Sequence, residues 1–149
     1  MTEKLLLDDN DIQDMIGKLL EQIKASNDNF DIVVGIENGG LYVSRPLAEA
    51  LNLPHASVRI SRYDGDKLRR TMIVENNGFR PEGRACLIAD DLIQDGETIL
   101  AYQRNFGTGD GDQMAVLLWS PLAVIQPKFY ARLKPKKWIV FPWEVSDGS

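Results

Sequence analysis

The 149-residue chain, 44% hydrophobic and 26% charged, fits one domain with a substantial core and is short for two. No apolar run approaches the roughly 18 residues of a membrane span, and "MTEKLLLDDND" follows its leucines with acid where a secretory leader would stay apolar, so a cytoplasmic protein that does not enter membranes is expected. The net charge of −5 speaks against broad nucleic-acid binding, and one His with one Cys argues against a zinc site built on those ligands.

Along the chain, Ile12, Met15, Ile16, Leu19, Leu20 and Ile23 recur three and four apart between Asp8 and Ser26, which predicts a helix with one apolar stripe and acidic residues near its start. "DIVVGIENGG" reads as a strand buried on both faces and ended by two glycines, with a turn over 37–40. "LYVSRPLAEALN" then predicts a helical segment interrupted by Pro46. "HASVRI" is a second strand. The polar, basic stretch 61–84, with "TMIV" as a short strand inside it, predicts a long hairpin or mobile loop. Its "RISRYDGDKLRR" gathers Arg59, Arg62, Lys67, Arg69 and Arg70, as an anion site or as a solvated loop balancing an acidic protein. "ACLIAD" is a third strand, "ETILAYQRNFG" a helix closed by Gly107, and "QMAVLLW" a fourth strand; Cys86 falls in the apolar pattern and is read as a core residue. "KKWIVFPWE" adds a short apolar strand and two tryptophans outside the repeat. Continuously apolar strands alternating with helices indicate an α/β domain spanning 1–149, with a mostly parallel twisted sheet covered by helices on both faces.

In such sheets ligands bind beyond the carboxyl ends of the strands, where both the "ENGG" and the "DDLIQDGET" turns begin. Gly96 permits close backbone approach, and the N–H groups of Asp95, Gly96, Glu97 and Thr98, with the Thr98 hydroxyl, suit a phosphate. Adjacent Asp90 and Asp91 need donors or a cation, which ribose hydroxyls and a magnesium ion provide. A strand-end turn with a helix cap is the plainer reading of a lone Asp-Asp. Strand, Asp-Asp, two apolar residues, Gly and Thr together are more specific.

These residues resemble type I phosphoribosyltransferases, and most closely the bacterial xanthine-guanine enzymes. "GIENGGLYVSRPLAEAL" stands in the place of the pyrophosphate loop, "ISRYDGDKLRR" of the flexible catalytic loop (about 61–84), "CLIADDLIQDGETI" of the phosphoribosyl-diphosphate signature, and "KKWIVFPWE" of the base-covering hood (about 130–149). The resemblance implies that Asp90 and Asp91 sit near the ribose hydroxyls and Mg2+, and that Asp95, Gly96, Glu97 and Thr98 wrap the 5′-phosphate. Asn38, Gly39 and Gly40 would meet pyrophosphate, joined by Arg69; Trp138 would stack on the base while the Ile139 backbone reads its edge. It also implies 5-phosphoribosyl 1-diphosphate, a purine-like base and a nucleotide product as partners, and a homo-oligomer, dimer or tetramer. Four positions depart from the pattern. Gln94 replaces the aspartate beside the purine imidazole nitrogen, Asn38 a cation, Ser120 the lysine that meets the 6-oxo group, and Asp95 a threonine. The expected function is transfer of a phosphoribosyl group to a purine or related nitrogen heterocycle. The alternative is a non-catalytic module that binds phosphoribosyl diphosphate or a nucleotide.

Overall fold

The computed structural model describes residues 3–66 and 69–145 and, within these, all side chains but those of 63–66 and 69–71. After a three-residue strand β1 (Lys4–Leu6), helix α1 (Asp9–Ser26) opens with a reciprocal cap. The Asp8 carboxylate accepts from the Asp11 N–H at 2.8 Å and the Asp11 carboxylate from the Asp8 N–H at 2.9 Å, so two of the donors that a helix start leaves unpaired are satisfied. Asn27, left-handed at φ 59°, closes it. The expected stripe is buried: Met15, Ile16, Leu19 and Ile23 face the sheet.

The chain then alternates β2 (Ile32–Glu37), α2 (Leu41–Leu51), β3 (His55–Asp66), β4 (Arg69–Glu75), β5 (Cys86–Ile93), α3 (Glu97–Phe106), β6 (Gln113–Trp119), β7 (Phe129–Leu133), β8 (Trp138–Val140) and the single turn α4 (Pro142–Val145). The main sheet has the order β4-β3-β2-β5-β6-β7, parallel throughout except for the antiparallel edge strand β4. Successive residues of β2 feed opposite faces. Val33 joins Met15, Leu19, Val43 and Leu47 under α1 and α2, while Val34 joins Ile99 and Tyr102 under α3. The fold is therefore the three-layer α/β arrangement that the apolar, unalternating strands predict.

Three details differ from the sequence reading, and one open alternative is resolved. Pro46 does not interrupt α2, which runs unbroken through it; proline removes one N–H donor and is exposed at that position, so the lost bond falls on the solvent side. The 61–84 segment is a hairpin over much of its length, with β3 and β4 paired from Arg59↔Glu75 to Asp66↔Arg69 and a register shift between Tyr63 and Asp66. β7, placed in the hood by sequence, belongs to the main sheet beside β6. The hood proper is β8 and α4, and its β8 pairs in parallel with β1, an element the sequence did not reveal.

Candidate active site

β2 leads to β3 on one side of the sheet and β5 to β6 on the other, so the strand order reverses between β2 and β5. At such a reversal the two loops leaving the strands diverge and open a crevice. The 38–40 turn and the 94–98 turn flank it. Gly40 packs so closely that a Cβ there would press on the Ile36 and Ala89 carbonyl oxygens, and a Cβ on Gly39 would overlap the Asp91 carboxylate. The two turns thus meet at Gly39 and Asp91, which only an absent side chain allows. The peptide between Glu37 and Asn38 is cis. The Glu37 carboxylate is held by Ser57 Oγ at 3.0 Å and Asn77 Nδ2 at 2.6 Å.

Asp90 and Asp91 lie within β5, which continues past them to Ile93. Asp90 is buried, and its Oδ1 accepts from the Asp91 N–H at 2.8 Å. Burial pushes the Asp90 carboxyl well above the ordinary carboxylate range, and the charge of Asp91 adds to the effect; burial also raises Asp91, with Glu144 of the hood contributing repulsion. Two acids in one desolvated place disfavour double ionisation, and a cation or a set of hydroxyl donors relieves that cost. Among the described residues no cluster of three or more His, Cys, Asp or Glu side chains is placed to hold a metal alone.

Beyond the pair, the crevice of about 410 Å³ takes in Gln94, Asp95, Gly96, Thr98, Trp138 and Arg62, a volume within the usual range for a small-molecule site. Gly96 adopts φ 93° as the residue before α3, a left-handed turn that brings backbone N–H groups to the helix start. Trp138 is 63% exposed, so its ring face is open to a planar partner. On β8, the Trp138 N–H donates to the Glu3 carbonyl at 2.8 Å and the Val140 carbonyl accepts from the Leu7 N–H at 2.9 Å. Alternate residues of a strand present their backbone groups to the same edge, so the N–H and C=O of Ile139 face away from β1. The Ile139 side chain is buried in the core.

The structure thus gathers Asp90, Asp91, Gln94, Asp95, Gly96, Thr98 and Trp138 in one crevice, with Gly39 and Gly40 on its flank. Asn38 lines an adjoining cleft with Arg45 and Trp143. Ser120 is not brought in: it is buried, and its hydroxyl accepts from the Leu122 N–H at 3.3 Å. Its turn braces the phosphate-type loop from below, through the Ser120 N–H to the Ile93 carbonyl at 2.9 Å and the Val124 N–H to the Asp95 carbonyl at 3.0 Å. Arg69 starts β4, and its side chain lies outside those described. Sequence reasoning missed the bracing loop 120–125 and the site-facing role of Arg62. Arg62 was visible as one of five cations, without any sign of its partners. Cys86 is buried, its thiol pushed up to about 11 chiefly by burial, in keeping with a core residue.

The model of the phosphoribosyl transferase domain family matches residues 4–147. Among solved structures, a purine phosphoribosyltransferase from Pyrococcus horikoshii Ot3 superposes with a TM-score of 0.82 at 23% identity, covering 95% of this chain and 94% of that one. A protein from Neisseria gonorrhoeae solved with bound ppGpp gives 0.78 at 24% identity, covering 97% and 90%. The transcriptional regulator GfcR of Methanococcoides burtonii is 25% identical over 87 residues, 58% of this chain; the chain spans only 43% of that regulator's length. With acid pair, phosphate-type turn and hood assembled at one strand-order reversal, and a family match that covers nearly every residue, the chain belongs to the phosphoribosyl transferase domain family.

Proposed function

We propose that the protein transfers the phosphoribosyl group of 5-phosphoribosyl 1-diphosphate to a purine or related nitrogen heterocycle and releases pyrophosphate. The observation that carries this reading is the convergence of Asp90, Asp91, the Gly96 turn and the exposed Trp138 face on one crevice. A base nitrogen forms a bond to C1 of the sugar as the C1–oxygen bond to diphosphate breaks, the departing oxygen keeps the bonding pair, and the base gives up its N–H proton to water. Charge develops on the ribose ring and on the departing oxygen, so alignment and electrostatics dominate the catalysis.

The residues have distinct parts in this reading. Asp90 and Asp91 receive the ribose hydroxyls, whose donors offset the burial of the two carboxyls. The turn 95–98 holds the 5′-phosphate, and the 38–40 turn meets the diphosphate with Arg69. Trp138 stacks on the base, and the outward backbone of Ile139 reads its edge. Gln94 stands beside the base as an amide that donates and accepts hydrogen bonds but takes no proton. Magnesium suits the acid pair, because it commonly binds through one or two carboxylates with water and substrate oxygens completing its shell. When bound it would neutralise the diphosphate.

The test is turnover of phosphoribosyl diphosphate with magnesium against a panel of purine and pyrimidine bases, read as pyrophosphate release. One accepted base supports the enzyme. A second reading, a sensor that binds a phosphorylated nucleotide without turnover, is favoured by Gln94 and by the ppGpp-bound Neisseria structure. It expects ligand-dependent thermal stabilisation and no pyrophosphate with any base.

A further inference from the structure

The turn read as the 5′-phosphate cradle carries two carboxylates of its own: Asp95, which lines the crevice where a dianion would approach, and Glu97, a predicted phosphate-binding residue that lies beside the crevice and lines an adjoining cleft with Met72 and Arg104. They are not loose. Asp95 Oδ1 accepts the Glu97 N–H at 2.9 Å, so a backbone donor that a phosphate needs is taken by the turn's own acid. From β3, 35 residues earlier in the chain than Glu97, Arg62 reaches across, and its Nη2 lies 2.7 Å from Glu97 Oε2 and 3.5 Å from Asp95 Oδ2. Among the described residues that line the crevice, Arg62 is the one cation, and Asp90, Asp91 and Asp95 line the same crevice.

We propose that Arg62 is a positioning residue that lets this acidic turn accept a phosphomonoester, by drawing the Asp95 and Glu97 carboxylates aside and offsetting their charge. The inference rests on reading the crevice as a sugar-phosphate site. When a phosphate oxygen takes the Glu97 N–H, the Asp95 carboxylate loses its donor, and a carboxylate losing a donor next to an incoming dianion needs another. Arg62 already stands within 3.5 Å to supply it. The guanidinium suits the task because its planar fork has five N–H donors and serves more than one acceptor at once. The two ion pairs are partly exposed, with 36% of the Arg62 side chain accessible, and exposed pairs add little to stability. The effect of Arg62 therefore belongs in ligand affinity and not in the folding equilibrium.

The test is calorimetric titration of the intact protein with ribose 5-phosphate, and with phosphoribosyl diphosphate plus magnesium, at low and high salt. Arg62→Gln is expected to weaken ribose 5-phosphate binding roughly tenfold at low salt and less at high salt, with little change in thermal midpoint. Arg62→Lys falls between. The triple variant Arg62→Gln, Asp95→Asn, Glu97→Gln is expected to recover to within about threefold of the parent, since the charge to be offset is gone. Unchanged affinity in Arg62→Gln overturns the proposal. So does a triple variant as weak as Arg62→Gln, which would make Arg62 a direct phosphate ligand. A parent protein that binds neither compound overturns the crevice reading as well, whereas a parent that binds with an indifferent Arg62 overturns this inference alone.

Discussion

Asp90 shows how a site residue is held at a cost. Its carboxyl, buried and beside Asp91, keeps its proton to higher pH in the folded chain than in the unfolded one. A group raised in this way stabilises the fold below its unfolded pKa of about 3.9, and that contribution is lost as pH rises through the folded value. In chelator, without ligand, the protein is therefore expected to lose stability as pH climbs from about 4 toward neutrality. Asp90→Asn should raise the neutral-pH thermal midpoint and flatten that slope, while abolishing phosphoribosyl-diphosphate binding; denaturation at several pH values and a titration check both. A parent midpoint that does not fall with pH would contradict the burial argument. Gln94 is the complementary case, a neutral amide lining the crevice where the proposed reaction calls for a proton acceptor beside the base. Gln94→Asp is expected to raise turnover with oxo-purines by roughly a hundredfold or more, the usual range for general base catalysis, and a flat rate across the base panel would remove Gln94 as the reason for any weak activity.

At the scale of elements, α2 carries a testable imperfection. Pro46 sits in its sixth position with no N–H to give the preceding turn. Pro46→Ala restores a donor and a better helix former, so the midpoint is expected to rise by the equivalent of about 1–3 kcal/mol, measured by chemical denaturation. The sequence made α1 legible because six apolar residues fall on one stripe, and α3 because Gly96 and Gly107 bracket it. It hid β7, whose "FYARL" leaves only Phe129 fully covered and follows a loop with two prolines. It hid β1 because three residues have too little pattern to read. The same limit applies to the site. Asp90, Asp91, Gly96 and Thr98 are neighbours along the chain and announce themselves together. Arg62 and the 120–125 brace arrive through tertiary packing, and local spacing carries no trace of that. Ser120 shows the converse error: a position expected to meet the base lies in the turn that braces residues 93–95.

The whole molecule divides its work between two sheets. The larger one forms the strand-order reversal and carries Asp90 and Asp91; the smaller, β1 with β8, presents Trp138 to the same crevice. Its link to the body includes aromatic stacking of Trp143 with Tyr42 of α2 at 4.4 Å and with Phe141 at 4.7 Å between ring centroids. Deleting residues 1–6 is accordingly expected to reduce affinity for the base by roughly tenfold while leaving ribose 5-phosphate binding nearly intact, because stacking on one aromatic ring contributes on the order of 1–3 kcal/mol. Calorimetry with each ligand separates the two effects, and equal losses for both would show that the small sheet supports the entire crevice.

The pairing of Lys4 with Trp138 has a consequence for the order in which the protein comes into being. During synthesis β1 emerges before every element of the main sheet and must wait for all of them to leave the ribosome before its partner strand exists. Contacts that far apart along a polypeptide close late. A nascent chain complete through α3 and β6 already holds the acids and the glycine turn, yet lacks Trp138. On the proposed reading, the residues assigned to the sugar are thus made before the residue assigned to the base.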